Sequence, residues 1–168
     1  MIGVVLATWL STGTAPTAPS VDLRQMGHVS SKGRVQDKEY NDIALVNELV
    51  TLGPAAIPLL VSKLDDPTPI ERRVFDFWGT AHVGDVALVI LCNLFRRSDW
   101  KSTTVPGMDW DTLLERKGRG DTGYGLLHAF LKKHGRPGLR RKVEGVLERY
   151  KGRFVWDDAE RCFKPESP

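Results

Sequence analysis

From Val83 to Phe95 the chain reads VGDVALVILCNLF. Val83, Val86, Ala87, Ile90, Leu91 and Leu94 recur at three and four residues, the period of one helical face, in a helix expected over about 80–96. Leu88, Val89 and Cys92 fill much of the remaining circumference. A helix that is apolar nearly all round has to be covered on several sides. The chain must therefore wrap other elements around this one, and the other strong periods it carries are also helical. The expected fold class is all-α, with little or no sheet.

Upstream, Tyr40, Ile43, Val46 and Val50 mark one face of a helix beginning near Asp37. Gly53 closes it, as glycine does just past a helix end. A second helix then places Ile57, Leu60, Val61 and Leu64 on one face. Two prolines stand between, at 54 and 58. Pro54 suits a first helical position, where the missing N–H has no intrahelical partner. Pro58 is tolerated if 54–57 form only a tight first turn and the regular helix starts at Pro58 itself. LGPAAIPLLVSKLDD is thus a helix end, a corner and an antiparallel second helix.

These residues resemble a HEAT repeat. Leu49, Leu52, Gly53, Ala56, Ile57, Pro58, Leu60, Leu64, Asp65 and Pro67 match its corner, second helix and acidic turn, and HVGDVALVIL (82–91) looks like the opening helix of a following repeat. The likeness covers about residues 37–95. It implies antiparallel helical hairpins, in an irregular short solenoid or an orthogonal bundle. TPIERRVFDFWGTA, Thr68 to Ala81, is inserted where a compact repeat has a short turn, which departs from regular solenoid stacking.

The N-terminus begins with an apolar run, Ile2 to Leu10, followed by small residues and prolines. That pattern resembles the h-region and cleavage region of an export signal, and the run is too short to span a bilayer. It predicts cleavage near 18–20 and a periplasmic or extracellular protein; an unprocessed leader would leave the chain in the cytosol. No Lys or Arg precedes the run. Residues 21–36 are polar and read as a flexible linker, leaving 37–168 as one α-helical domain with its insertion loop at 68–81. The 168 residues in all are ample for one core. Cys92 and Cys162 are the only cysteines; in an exported protein they could bridge the tail to the core, although a cysteine in an apolar helix also serves simply as a small hydrophobe.

Past the central helix, RRSDWKSTTVPGM reads as a loop and DWDTLLERKG as a short helix. LLHAFLKKHG follows, with Tyr124, Leu127 and Leu131 in phase and Gly135 as the stop; the next helix turns Leu139, Val143, Val146, Leu147 and Tyr150 inward. The tail RFVWDDAERCFKPESP alternates poorly and is expected to pack Phe154, Trp156 and Phe163 on the helices rather than pair as strands.

No catalytic constellation emerges, and no cofactor is implied. His82 and Asp85 could share a ligand, but two groups make an incomplete metal site, and Asp85 in a first helical turn complements the helix dipole. His128 falls on an apolar face and is expected to be a hydrogen-bonded core residue; His134 does not share that face. Asp109, Asp111, Asp157 and Asp158 supply paired carboxylates of the type glycosidases use, yet Asp109 suits a helix cap and the other pair a turn. The net charge of +3 is small, but Glu115 to Arg153 holds 12 Lys and Arg against 4 Asp and Glu. Lys132, Lys133, Arg136, Arg140, Arg141 and Lys142 there could line a phosphate-binding face.

The insertion is the most informative segment. It gathers Arg72, Arg73, Phe75, Phe77 and Trp78, residue types that anchor protein interfaces, with Trp100 as a further aromatic; the same aromatics could instead plug the end of the helical stack. The leading expectation is a noncatalytic, exported protein-interaction module whose partner meets these six residues. A small hydrolase using Asp and His groups, and a nucleic-acid binder using the basic C-terminal helices, are the alternatives.

Overall fold

The computed structural model describes residues 22–25, 48–70, 80–97, 99, 101–118, 123–151 and 153–166. Residues 48–51 are helical (α1), and the Leu52 N–H donates to the Glu48 carbonyl at 3.0 Å at the end of this helix. Gly53 then takes a φ of 59°, a left-handed conformation that costs glycine little. A 3-10 turn over Gly53–Ala55 runs straight into α2, Ala56–Lys63. The tight turn around Pro54 is therefore as expected, but the regular helix starts at Ala56, ahead of Pro58. Pro58 falls in the first helical turn, where N–H groups lack acceptors within the helix, so the ring removes no helical bond.

The central helix is α3, Val83–Leu94, and all of its twelve residues are buried. Ala56, Ile57, Leu60 and Val61 of α2, together with Leu64, supply one side of its cover. A short 3-10 turn, Leu23–Gln25, packs on α3 as well, with Leu23 only 3% exposed. Part of the segment expected to be a linker is thus in the core; residues 26–36 lie outside the described residues. Each Leu, Ile or Val fully withdrawn from water contributes roughly 1.5–3 kcal/mol, so α3 and its cover dominate the favourable side of folding.

Downstream come α4, Trp110–Leu113, and α5, Gly123–Glu148. Asp109 caps α4 by accepting the Thr112 N–H at 2.9 Å. α5 is broken at Gly135, whose φ of 69° and ψ of 171° are non-helical, and Pro137 opens its second half. The stop expected at Gly135 is real, and it turns one amphipathic stretch into two. The buried face of the first half is Leu126, Leu127 and Phe130, and that of the second is Leu139, Val143, Val146 and Leu147. α5 packs on α2 and α4.

The tail departs from expectation. β1, Phe154–Asp157, and β2, Cys162–Pro165, pair antiparallel, with Trp156 opposite Phe163 and Phe154 opposite Pro165. Asp157 organises the turn by accepting the backbone N–H groups of Ala159 and Glu160, both at 3.0 Å. The aromatic packing expected of this segment is present, delivered from strands. Phe95 meets Phe154 edge-on at 5.1 Å, and Trp156 meets Phe163 at 5.1 Å. The Thr104 hydroxyl donates to the Phe163 carbonyl and ties the hairpin to the loop after α3. The described chain is helix-rich with this one small sheet.

Candidate interaction site at the base of the insertion

The two ends of the insertion are paired. Ile70 N–H donates to the Ala81 carbonyl at 2.8 Å and Val83 N–H to the Thr68 carbonyl at 2.9 Å, around a Pro69–His82 bridge. Ile70 and Ala81 are buried, at 5% and 3% exposure, so the base of the loop is part of the core. Arg72, Arg73, Phe75, Phe77 and Trp78 lie outside the described residues; their attachment points do not.

Beneath this ladder lies a polar cluster. Asp85, only 2% exposed, is the third residue of α3, and its Oδ2 accepts the His82 backbone N–H at 2.9 Å, with His82 Nδ1 3.1 Å away. Asp85 therefore does cap the helix start. A second partner arrives from α5: Arg136 Nη2 stands 2.9 Å from Asp85 Oδ1, and Arg136 is only 14% exposed. Oδ1 makes no aligned hydrogen bond, so charge rather than hydrogen-bond geometry holds that contact. Gly84 lets these elements meet. Its N–H donates to the Asp66 carbonyl at 3.1 Å, and a Cβ there would sit 2.5 Å from the Leu64 carbonyl oxygen and 2.6 Å from Arg136 Nη1.

Alongside is an open polar cleft of about 330 Å³, lined by Lys63, Asp66, Thr68 and Val83 with Asp22, Leu23 and Arg24 opposite. Thr68, through its hydroxyl and its backbone N–H, holds the Asp66 carboxyl below the usual carboxylate range. Asp22 and Arg24 pair at 2.8 Å. Loop root, buried ion pair and cleft lie together at the N-terminal end of α3.

Trp100 also lies outside the described residues; residues before and after it are described. Arg97 N–H donates to Ser102 O at 2.9 Å, Thr104 N–H to Phe95 O at 2.8 Å, and Asp99 accepts from Lys101 N and Ser102 N. This root is at the C-terminal end of α3. The two roots are thus separated by the length of a twelve-residue helix, about 18 Å at 1.5 Å per residue. One partner touching both would have to span that distance.

The other candidate residues are occupied structurally. Asp111 pairs with Arg116 at 3.0 Å, Asp157 with Lys164 at 2.9 Å, and Asp158 accepts the Trp156 indole N–H at 2.9 Å. His128 is exposed rather than a core residue, because the inward face of its helix runs through Leu127 and Phe130 instead. Among the described residues no three His, Cys, Asp or Glu side chains gather where they could hold a metal ion. Cys92 and Cys162 are both buried as thiols, and burial pushes the Cys92 thiol up to about 12, the opposite of a nucleophile.

The basic set is largely consumed in ion pairs. Arg136 serves Asp85, and Arg140 bridges Asp65 at 3.2 Å and Glu144 at 2.8 Å. Glu115 gathers Lys142 at 3.1 Å, with Lys133 and His134 each at 3.5 Å. Glu115 occupies a left-handed position, φ 58°, just past α4, where glycine is usual. Lys132 and Arg141 are exposed and have no such partner among the described residues. Arg136, which its neighbours in sequence would assign to this surface, is mostly buried; the signal for it is Asp85 itself, the one charge in an apolar helix, which requires a counter-charge from elsewhere.

No protein-family model, curated protein or solved structure matches the chain. Among the described residues, no helix is long and apolar enough to cross a membrane.

Proposed function

We propose that the protein is a noncatalytic interaction module of HEAT-like helical hairpins, exported, which binds a protein partner through the insertion between Thr68 and Ala81. The observation that carries this reading is the closed root of the insertion: its ends are hydrogen-bonded to each other and stand on the Asp85–Arg136 pair. A base closed in this way can hold out a functional loop, and long loops in compact domains are either functional or packed inward. Arg72, Arg73, Phe75, Phe77 and Trp78 then act as anchors, burying aromatic surface and pairing arginines with carboxylates of the partner. Trp100, at the other end of α3, extends the contact to a partner large enough to span both roots.

The alternatives have less support. A hydrolase needs carboxylates and histidines converging with shifted proton affinities, whereas Asp85, Asp109, Asp111, Asp157 and Asp158 each hold a cap, turn or ion pair. A nucleic-acid face needs lysines and arginines available to phosphates, and four of the six basic candidates are paired internally.

The test replaces 72–78 with a Gly/Ser segment of equal length. The variant should unfold at the same urea concentration as the parent yet lose photo-crosslinks formed from a probe at Thr80, exposed beside the replaced segment. Unchanged crosslinking would refute the reading. Intact mass from fractionated cells tests export: loss of about twenty N-terminal residues in the exported fraction is expected, and a full-length cytosolic chain would overturn it.

A further inference from the structure

The geometry points to a second docking surface, sharing no residue with the insertion root, that takes an amphipathic partner helix with a basic flank. It is an open groove of about 250 Å³ between α2 and the second half of α5, with Phe154 also in its lining. Its floor is apolar: Ile57, Val61, Leu147 and Phe154 are 5%, 8%, 7% and 5% exposed, each withdrawn from water except for an edge. Pro58 on the α2 wall brings no N–H. The floor therefore accepts a bulky apolar side chain and offers little to a polar one.

The rim decides which partner. Glu144 and Glu148 line the α5 wall one helical turn apart. Glu144 is held by Arg140 at 2.8 Å, whereas Glu148 makes no ion pair among the described residues. Glu148 is also poorly placed for the fold. It is the last residue of α5, where a carboxylate opposes the helix dipole, and it faces a like charge four residues back. A residue unfavourable to its own helix on two counts, at the edge of an apolar groove, fits a charge kept for a partner. A lysine or arginine one turn from a leucine or phenylalanine would settle beside Glu148 while the apolar side chain enters the groove. This is helix-in-groove recognition, with anchors at i and i+4.

The probe is a synthetic peptide of leucine and lysine, about 14 residues or four turns long, titrated against the full chain by fluorescence anisotropy. Saturable binding is expected, weakened about tenfold or more, as loss of a charged contact does, when the lysines are replaced by glutamates. Glu148→Lys should weaken the lysine peptide to the same degree while unfolding no earlier than wild type, since a cation suits a helix C-terminus. Pro58→Lys, which places a long cationic chain across the groove without harming α2, should abolish binding. Equal binding of both peptides, or wild-type affinity in Glu148→Lys, overturns the proposal. So does self-association that disappears in Pro58→Lys, which would assign the groove to a second copy of this chain.

Discussion

Gly84→Ala is the substitution whose outcome depends most on the packing described above. In an ordinary helix, alanine for glycine stabilises by about 0.5–1 kcal/mol because the unfolded chain loses freedom. At Gly84 the new methyl would lie 2.5 Å from the Leu64 oxygen and 3.0 Å from its carbonyl carbon, and both are backbone. Neither can rotate away, so the start of α3 must retreat from the end of α2 by roughly 1 Å to reach a normal contact near 3.5 Å. That retreat strains the Gly84–Asp66 backbone hydrogen bond, worth about 1 kcal/mol, and adds an overpacking cost of about 1–3 kcal/mol. It also crowds Arg136, 2.6 Å away, off Asp85. Set against the gain from lost chain freedom, the expected net effect is a loss of about 1–3 kcal/mol, a large share of a typical 5–15.

Gly145→Ala is the matched control. Gly145 is inside α5, and a Cβ at that position would have nothing within 4 Å, so the same substitution should stabilise by about 0.5–1 kcal/mol. Urea unfolding at 25 °C followed by helical circular dichroism separates the two. Opposite signs are required; a Gly84→Ala protein as stable as wild type would refute the close approach of α2 and α3. Repeating it in an Arg136→Met background identifies the obstacle. The cost should persist there, because the Leu64 carbonyl remains.

Arg136→Met should itself cost about 3 kcal/mol, the lower end for breaking a buried ion pair, since Asp85, at 2% exposure, then keeps only its contacts to His82; Asp85→Asn in the same chain should restore part of it, and additive losses in urea unfolding would count against a direct pair. Cys92 should resist iodoacetamide in the native protein and react once unfolded; native labelling at the rate of an exposed thiol contradicts its burial. Because its folded value is raised to about 12 from 9.0, the folded state holds the proton more tightly, and stability is lost as pH rises above about 9; the advantage of wild type over Cys92→Ala should shrink there, and a constant gap refutes the assignment. Hydrogen bonds hold Asp66, Asp99 and Asp157 below the usual range, from Thr68, from the Lys101 N–H and from Lys164 respectively, so their contribution is present above about pH 4 and lost as pH falls below it. A urea midpoint that stays flat from pH 5 to about pH 2 would exclude that linkage.

What is legible in the sequence is periodic or local. The central helix stands out because apolar residues on every face admit one environment. The corner at Gly53 and Pro54, the cap at Asp109 and the stop at Gly135 depend on single residues with strong backbone preferences, and each is where the chain placed it. The hairpin 154–165 escapes such a reading because its apolar alternation is short: Phe154 and Trp156 face one way, but Cys162 and Phe163 are adjacent and both buried. Its better signal is the DDAE turn, where Asp157 accepts two backbone N–H groups.

Charge is the harder matter, for a physical reason. A side chain's charge is local, while its partner is a tertiary fact: Arg136 meets Asp85, and Arg140 meets Asp65, across more than fifty residues of chain. The basic stretch therefore looks in sequence like a surface awaiting phosphate, when much of it binds α5 to the rest of the fold. The same pairing sharpens the meaning of the charges left over. Glu148 stands unpaired among the described residues at a helix end that disfavours it. If folding alone governed the sequence, Glu148 would gain by becoming lysine. A Glu148→Lys protein that is more stable and binds the lysine peptide less would therefore say more about function than one that is merely broken.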